Sequence, residues 1–188
     1  MTILFVDGWL GPDPGDWQEL WMRDLPGAVR VEQDDWRRAE RDAWVARLDE
    51  EIARCAEPPV LVGHSLGCLT VAHWAMGRNR RPVRAALLVT PADLERHATP
   101  EITGFDPIPR AALPFTTVVA ASRNCHWMTF ERASSFADSW GARLADMGEV
   151  GHLTVGQGYG PWPEGERLLH ELLDDGLPGD VTEAGGRR

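Results

Sequence analysis

Six short apolar runs alternate with stretches of helical spacing along the 188 residues, and that alternation confines the chain to βα units around a mostly parallel sheet. The runs are Ile3–Val6, Val29–Gln33, Val60–Val62, Ala85–Val89, Thr117–Ala121 and Arg143–Met147. Each is apolar through much of its length, as strands covered on both faces tend to be. Between them, Trp17, Leu20 and Trp21 share a face behind the cap residue Asp16, and Trp44, Val45, Leu48 and Ile52 form a longer stripe. Leu66–Met76, Phe130–Trp140 and Pro163–Leu173 read as further helices, the last with proline in its first turn. The proline-rich stretch 91–114 has no strong period and reads as a long connection with room for one helical turn. The expectation is one α/β domain over residues 1–175, with strands in the order 2-1-3-4-5-6 and helices on both faces of the sheet. A polar, Gly-rich tail, 176–188, is expected to fray.

The most informative junction is Val60-Leu61-Val62 running into Gly63-His64-Ser65-Leu66-Gly67 and then a helix. A serine in a strand-to-helix turn of this kind sits on a strained backbone, and small residues two positions either side let strand and helix close around it. Its oxygen then projects at the carboxyl edge of the sheet, where the amide of the next residue, Leu66, can help to hold an oxyanion. A helix-capping serine in a Gly-rich turn is the bland alternative. Phosphate binding is disfavoured, because neither G-x-G-x-x-G nor G-x-x-x-x-G-K-[ST] is present in the turn.

A serine nucleophile needs a base, and in this topology the histidine follows the last strand. His152, in Gly151-His152-Leu153 after Arg143–Met147, meets both the order and the need for a loop that turns inward. His64 and His73 fall in the turn and on the following helix, His97 in the long connection, His126 after the fifth strand and His170 on the final helix. A second oxyanion donor is expected from the loop after the first strand, Val6-Asp7-Gly8-Trp9-Leu10-Gly11, with the Trp9 amide first and Leu10 second.

These segments, together with Asp16-Trp17-Gln18-Glu19-Leu20-Trp21, Phe130-Glu131-Arg132-Ala133, Trp140-Gly141 and Gly158-Tyr159-Gly160-Pro161-Trp162-Pro163-Glu164-Gly165, resemble the small serine hydrolases related to retinoblastoma-binding protein nine and bacterial YdeN. The likeness spans nearly the whole chain apart from the tail. It implies a compact α/β-hydrolase fold without a large cap domain, a Ser-Asp-His triad and esterase-like hydrolysis of a small acyl substrate without a cofactor.

One departure from the family bears directly on that chemistry. The loop after the fifth strand typically reads Ser-x-Asn-Asp-Pro or Ser-x-Asp-Asp-Pro in those proteins, the second acidic position supplying the triad aspartate. Here it reads Ser122-Arg123-Asn124-Cys125-His126, with Cys125 at the acid position. A thiol with an unperturbed pKa of about 8.5 is a poor substitute for a carboxylate at neutral pH. Asp93 is the leading candidate for a relocated acid, because it follows the strand Ala85–Val89 on the same sheet edge. Glu131 and Asp138 are less well placed on a helix. The alternative is a noncatalytic binding or regulatory protein on the same fold.

The remaining composition narrows the partners. A net charge of −10 disfavours nucleic acid, whose phosphates demand clustered Lys and Arg. No run reaches the ~20 apolar residues that span a membrane, and the start lacks the basic flank of a secretory signal, so a cytoplasmic location is expected. Cys55, Cys68 and Cys125 show no C-x-x-C spacing and read as reduced thiols. A metal site from Cys125, His126 and His152 is disfavoured, because neighbouring residues would have to converge on one ion. The nine tryptophans, including Trp9, Trp127 and Trp162 near the expected catalytic edge, are explained first by packing and only second as substrate walls.

Overall fold

Val60, Leu61 and Val62 are β-branched or bulky and apolar on both faces, and they form the start of β4 (Val60–His64), a strand buried at every position in the computed structural model. The structure describes residues 1–78 and 80–175. The tail 176–188 lies outside the described residues.

β1 (Ile3–Val6), α1 (Trp17–Asp24), β2 (Ala28–Arg30), β3 (Ala39–Glu40) and α2 (Arg41–Arg54) precede β4. After it come α3 (Leu66–Ala75), β5 (Ala85–Val89), β6 (Ile102–Thr103), β7 (Thr116–Ala121), α4 (Phe130–Trp140), β8 (Arg143–Asp146) and α5 (Pro163–Asp175). The main sheet runs β2-β1-β4-β5-β7-β8 with every pairing parallel, which is the expected order of the six long strands. Alternate side chains divide the core. Leu4, Leu61 and Leu88 pack toward Trp44, Leu48, Leu69 and Phe136 of α2, α3 and α4, whereas Phe5, Val62 and Leu87 pack toward Trp17, Trp21, Leu169 and Leu172 of α1 and α5.

The structure departs from the sequence reading in three places. β2 ends at Arg30 rather than Gln33. It is an edge strand bonded only to β1, and among the described residues no backbone bond to β1 follows that of Val31 N–H to Phe5 O. Asp16 stands at the N-cap position of α1 as expected, but its side chain makes no capping bond to the helix. Its carboxylate accepts from the backbone N–H groups of Asp13, at 2.8 Å, and Val155, so it ties together two loops at the sheet edge. The connection 91–114 holds one helical turn, closed by His97 N–H on Asp93 O at 2.9 Å, but it also contains β6, which pairs in parallel with β3. Pairs of two residues carry no periodicity to read.

Candidate active site

Ser65 follows β4 with φ 53° and ψ −117°, a conformation that L-residues avoid and that only its surroundings can enforce. Those surroundings are tight: a Cβ on Gly67 would lie 1.7 Å from Val6 O, and one on Gly8 would lie 2.9 Å from Ser65 Cβ. Glycine at 67 lets the first turn of α3 press against the end of β1. Glycine at 8 lets the following loop pass directly over the serine. Ser65 N–H donates to Val89 O at 3.0 Å, fixing the turn to β5.

The loop after β8 brings His152 over this turn, with Nε2 2.8 Å from Ser65 Oγ. The histidine is held by its own peptide. Its N–H donates to Gln157 Oε1 at 2.6 Å, and its carbonyl accepts from His64 Nε2 at 2.9 Å and Thr90 Oγ1 at 3.3 Å. Asn124 Oδ1 accepts from Gly151 N–H at 2.6 Å, binding the histidine loop to the loop after β7. Trp17 Nε1 donates to Leu153 O at 3.0 Å, and Trp17 packs edge-on against Trp162. Trp162 is thus a core residue buttressing the histidine loop and lines no substrate wall. Among the described residues the non-glycine positive φ angles are Leu10 (73°), Ser65 (53°), Thr90 (40°) and Leu153 (53°), all at or beside this site. Strain concentrated in this way is a mark of functional geometry.

Cys125 Sγ lies 3.2 Å from His152 Nδ1. Burial pushes the thiol above its ordinary range, although backbone N–H groups of Trp127 and Met128 interact with it and favour the thiolate. His152, buried and without an anionic partner, has its pKa pushed down to about 2, with His64 and His126 adding to the effect of burial. His64 is likewise held neutral by its burial.

Asp93 is elsewhere engaged. Its fully buried carboxylate takes Arg132 Nε and Nη2 in a bidentate pair, both at 2.7 Å, while Cys125 occupies the far side of the imidazole. The relocation of the acid to Asp93 is therefore corrected: Asp93 anchors α4 to the connection 91–114. Glu131 and Asp138 sit at exposed positions on α4.

Around Ser65 opens a cavity of about 260 Å³ walled by Trp9, Leu10, Leu94, Ile102 and Trp127. Leu66 N–H is at the first turn of α3, where helix amides have no intrahelical acceptor. Trp9 N–H also has no backbone acceptor among the described residues, whereas Leu10 N–H is bonded to Trp36 O at 3.0 Å. That bond leaves Leu10, the second choice of donor, unable to serve an oxyanion. Among the described residues no group of three His, Cys, Asp or Glu is arranged to hold a metal ion. Gln157, His64 and Thr90 were not legible as site residues, because their role depends on the backbone of a loop distant in sequence. Asn124 stood in the family-like loop and could have been found there.

Among parallel α/β folds, a serine raised on a positive-φ turn between strand and helix belongs to the α/β hydrolases. Residues 3–171 match the serine hydrolase family model, and the chain belongs to that family. It is similar to a protein of Pectobacterium atrosepticum described as a YdeN-like hydrolase, with 33% identity over 94% of this chain and 92% of that one and a TM-score of 0.85. The ydeN gene product of Bacillus subtilis shares the fold at 16% identity, covering 92% and 98% of the two chains, with a TM-score of 0.72. A hydrolase of the α/β superfamily from Xanthomonas campestris does so at 23%, covering 93% and 98%, with a TM-score of 0.61. No curated protein sequence matches the chain.

Proposed function

We propose that the protein hydrolyses a small ester or related acyl compound through a Ser65 acyl-enzyme. The observation that carries this reading is the 2.8 Å approach of His152 Nε2 to Ser65 Oγ on a strained turn. His152 Nε2 takes the Ser65 proton as the oxygen attacks the acyl carbon, and returns it to the leaving alkoxide as the ester bond breaks. Water then attacks the acyl-enzyme with His152 again as base, releasing the acid and regenerating Ser65. The Trp9 and Leu66 amides hold the oxyanion of each tetrahedral species. For Nε2 to accept, Nδ1 must carry the hydrogen and donate to Cys125 Sγ; a thiol proton donated to Nδ1 would instead select the inactive tautomer.

The absence of a carboxylate sets the expected rate. Losing the acid of a serine triad can cost about 10⁴-fold in kcat while leaving geometry intact. The test is turnover of short-chain 4-nitrophenyl esters by purified protein, with Ser65→Ala as background. Hydrolysis above that background supports the reading, and none in folded protein opposes it.

A thiol, 3.2 Å from His152 Nδ1 where a triad acid would stand, favours a second reading, a binding or regulatory protein on the hydrolase fold. Ligand occupancy of the cavity without turnover, unchanged by Cys125→Asp, would favour it. Under either reading the partner is a small molecule, with neither nucleic acid nor membrane involved. No described helix is long and apolar enough to cross a membrane. A cytoplasmic location is part of the same proposal, since three cysteines without C-x-x-C spacing fit reduced thiols.

A further inference from the structure

We propose that the groove beyond Leu10 is a second subsite of the active site, taking an uncharged alkyl or aryl arm of the substrate. The inference rests on the hydrolase reading of Ser65.

Four observations carry it. The cavity around Ser65, at about 260 Å³, falls below the ~300–1,000 Å³ of most ligand pockets, so a substrate with more than a short acyl or alkoxy group must extend beyond it. A second hollow of about 560 Å³ lies across the ridge made by Trp9 and Leu10, which border both spaces, and its far wall is Trp36 with Arg37 and Glu101. Two hydrogen bonds tie the ridge to that wall: Leu10 N–H donates to Trp36 O at 3.0 Å, and Trp9 Nε1 donates to Arg37 O at 2.9 Å. Leu10 itself is 57% exposed with φ 73°. Holding a leucine in the left-handed region costs about 1–2 kcal/mol. Asparagine would adopt that conformation with less strain and expose no apolar surface, so neither folding nor solubility accounts for a leucine there. A substrate chain crossing from Ser65 toward Trp36 does, because it would cover Leu10.

The chemistry of the arm follows from its walls. No Arg or Lys lines the inner cavity, and Asp13 and Asp16 do, so an anionic reacting end has no counter-ion. Arg37 and Glu101 border the outer hollow with opposite signs, giving no net preference for charge. Trp9, Leu10 and Trp36 supply apolar and aromatic surface, which fits an alkyl chain or a ring.

Two fluorophosphonates differing only in a methyl or an octyl group on phosphorus test this on wild type, Leu10→Asn and Leu10→Gly, reading the rate of Ser65 modification by mass spectrometry. Both replacements tolerate the left-handed backbone. A fully buried methylene is worth about fourfold, and an open groove covers each in part, so the octyl reagent is expected to react at least about tenfold faster with wild type. Both variants should cut that ratio at least about threefold. Equal rates in wild type, or a ratio untouched by both variants, overturn the subsite while leaving the Ser65 nucleophile in place. Failure of both reagents to modify Ser65 overturns the hydrolase reading and the subsite with it.

Discussion

Cys125 Sγ stands 3.2 Å from His152 Nδ1, on the side of the imidazole opposite the nitrogen that meets Ser65 Oγ. The side chain is where a triad acid would be, and it interacts with the backbone N–H groups of Trp127 and Met128, an environment that favours an anion. What the residue lacks is charge. Restoring it with Cys125→Asp is expected to raise kcat on a short-chain ester by about 10²- to 10⁴-fold, since the carboxylate fixes the tautomer and stabilises the imidazolium. Unchanged or diminished turnover in a folded variant contradicts this account of Cys125.

The pH profile gives the same account a separate readout. With its pKa pushed down to about 2, His152 remains neutral and able to accept a proton across the acidic and neutral range. The wild-type rate should therefore show no acid limb between about pH 5 and 8. It should rise on the alkaline side, above about pH 9, as the thiol whose pKa burial has raised finally ionises and supplies the missing charge. In Cys125→Asp the carboxylate draws the His152 pKa upward, so an acid limb should appear between about pH 5 and 7 and the alkaline rise should vanish. Identical profiles for the two proteins would contradict the assignment.

Asp93 is expected to matter for stability. Replacing it by Asn removes the buried charge that pairs bidentately with Arg132, which keeps Glu95 as its other carboxylate partner, so the expected cost is about 1–3 kcal/mol. Denaturant unfolding of Asp93→Asn should show a loss of that order, while the pH profile of turnover keeps its wild-type shape. A shifted profile with little loss of stability would return Asp93 to the catalytic machinery.

Gly67→Ala should prevent the wild-type turn from forming, because the added Cβ would fall on Val6 O. Thr129→Ala removes only the side-chain acceptor for Arg132 N–H at the start of α4, and is expected to lower stability by about 1 kcal/mol. Comparison of the two by thermal unfolding and near-ultraviolet circular dichroism checks the ranking. A Gly67→Ala protein as stable as wild type would mean that the turn is looser than described.

The fold was legible because each long strand is a short apolar run bounded by helical stripes, and Ser65 because its turn has sequence neighbours with a defined steric job. His152 was legible from chain order. The supports of His152 were hidden, since Gln157, His64 and Thr90 act on its peptide from three separate segments and leave no spacing to read. Asp93 misled for a related reason: sheet-edge position is visible in sequence, but the Arg132 that claims its carboxylate is 39 residues away. Asp16 has the identity of a cap and is used to join loops, a competition between local and tertiary acceptors that local pattern does not resolve.

Covalent modification by a small fluorophosphonate, followed by peptide mass spectrometry, tests whether Ser65 is a nucleophile activated by His152. One adduct per chain is expected, on Ser65, absent from Ser65→Ala and much slower to form in His152→Ala. No adduct on Ser65 in protein shown to be folded, or modification that persists unchanged in Ser65→Ala, would contradict it.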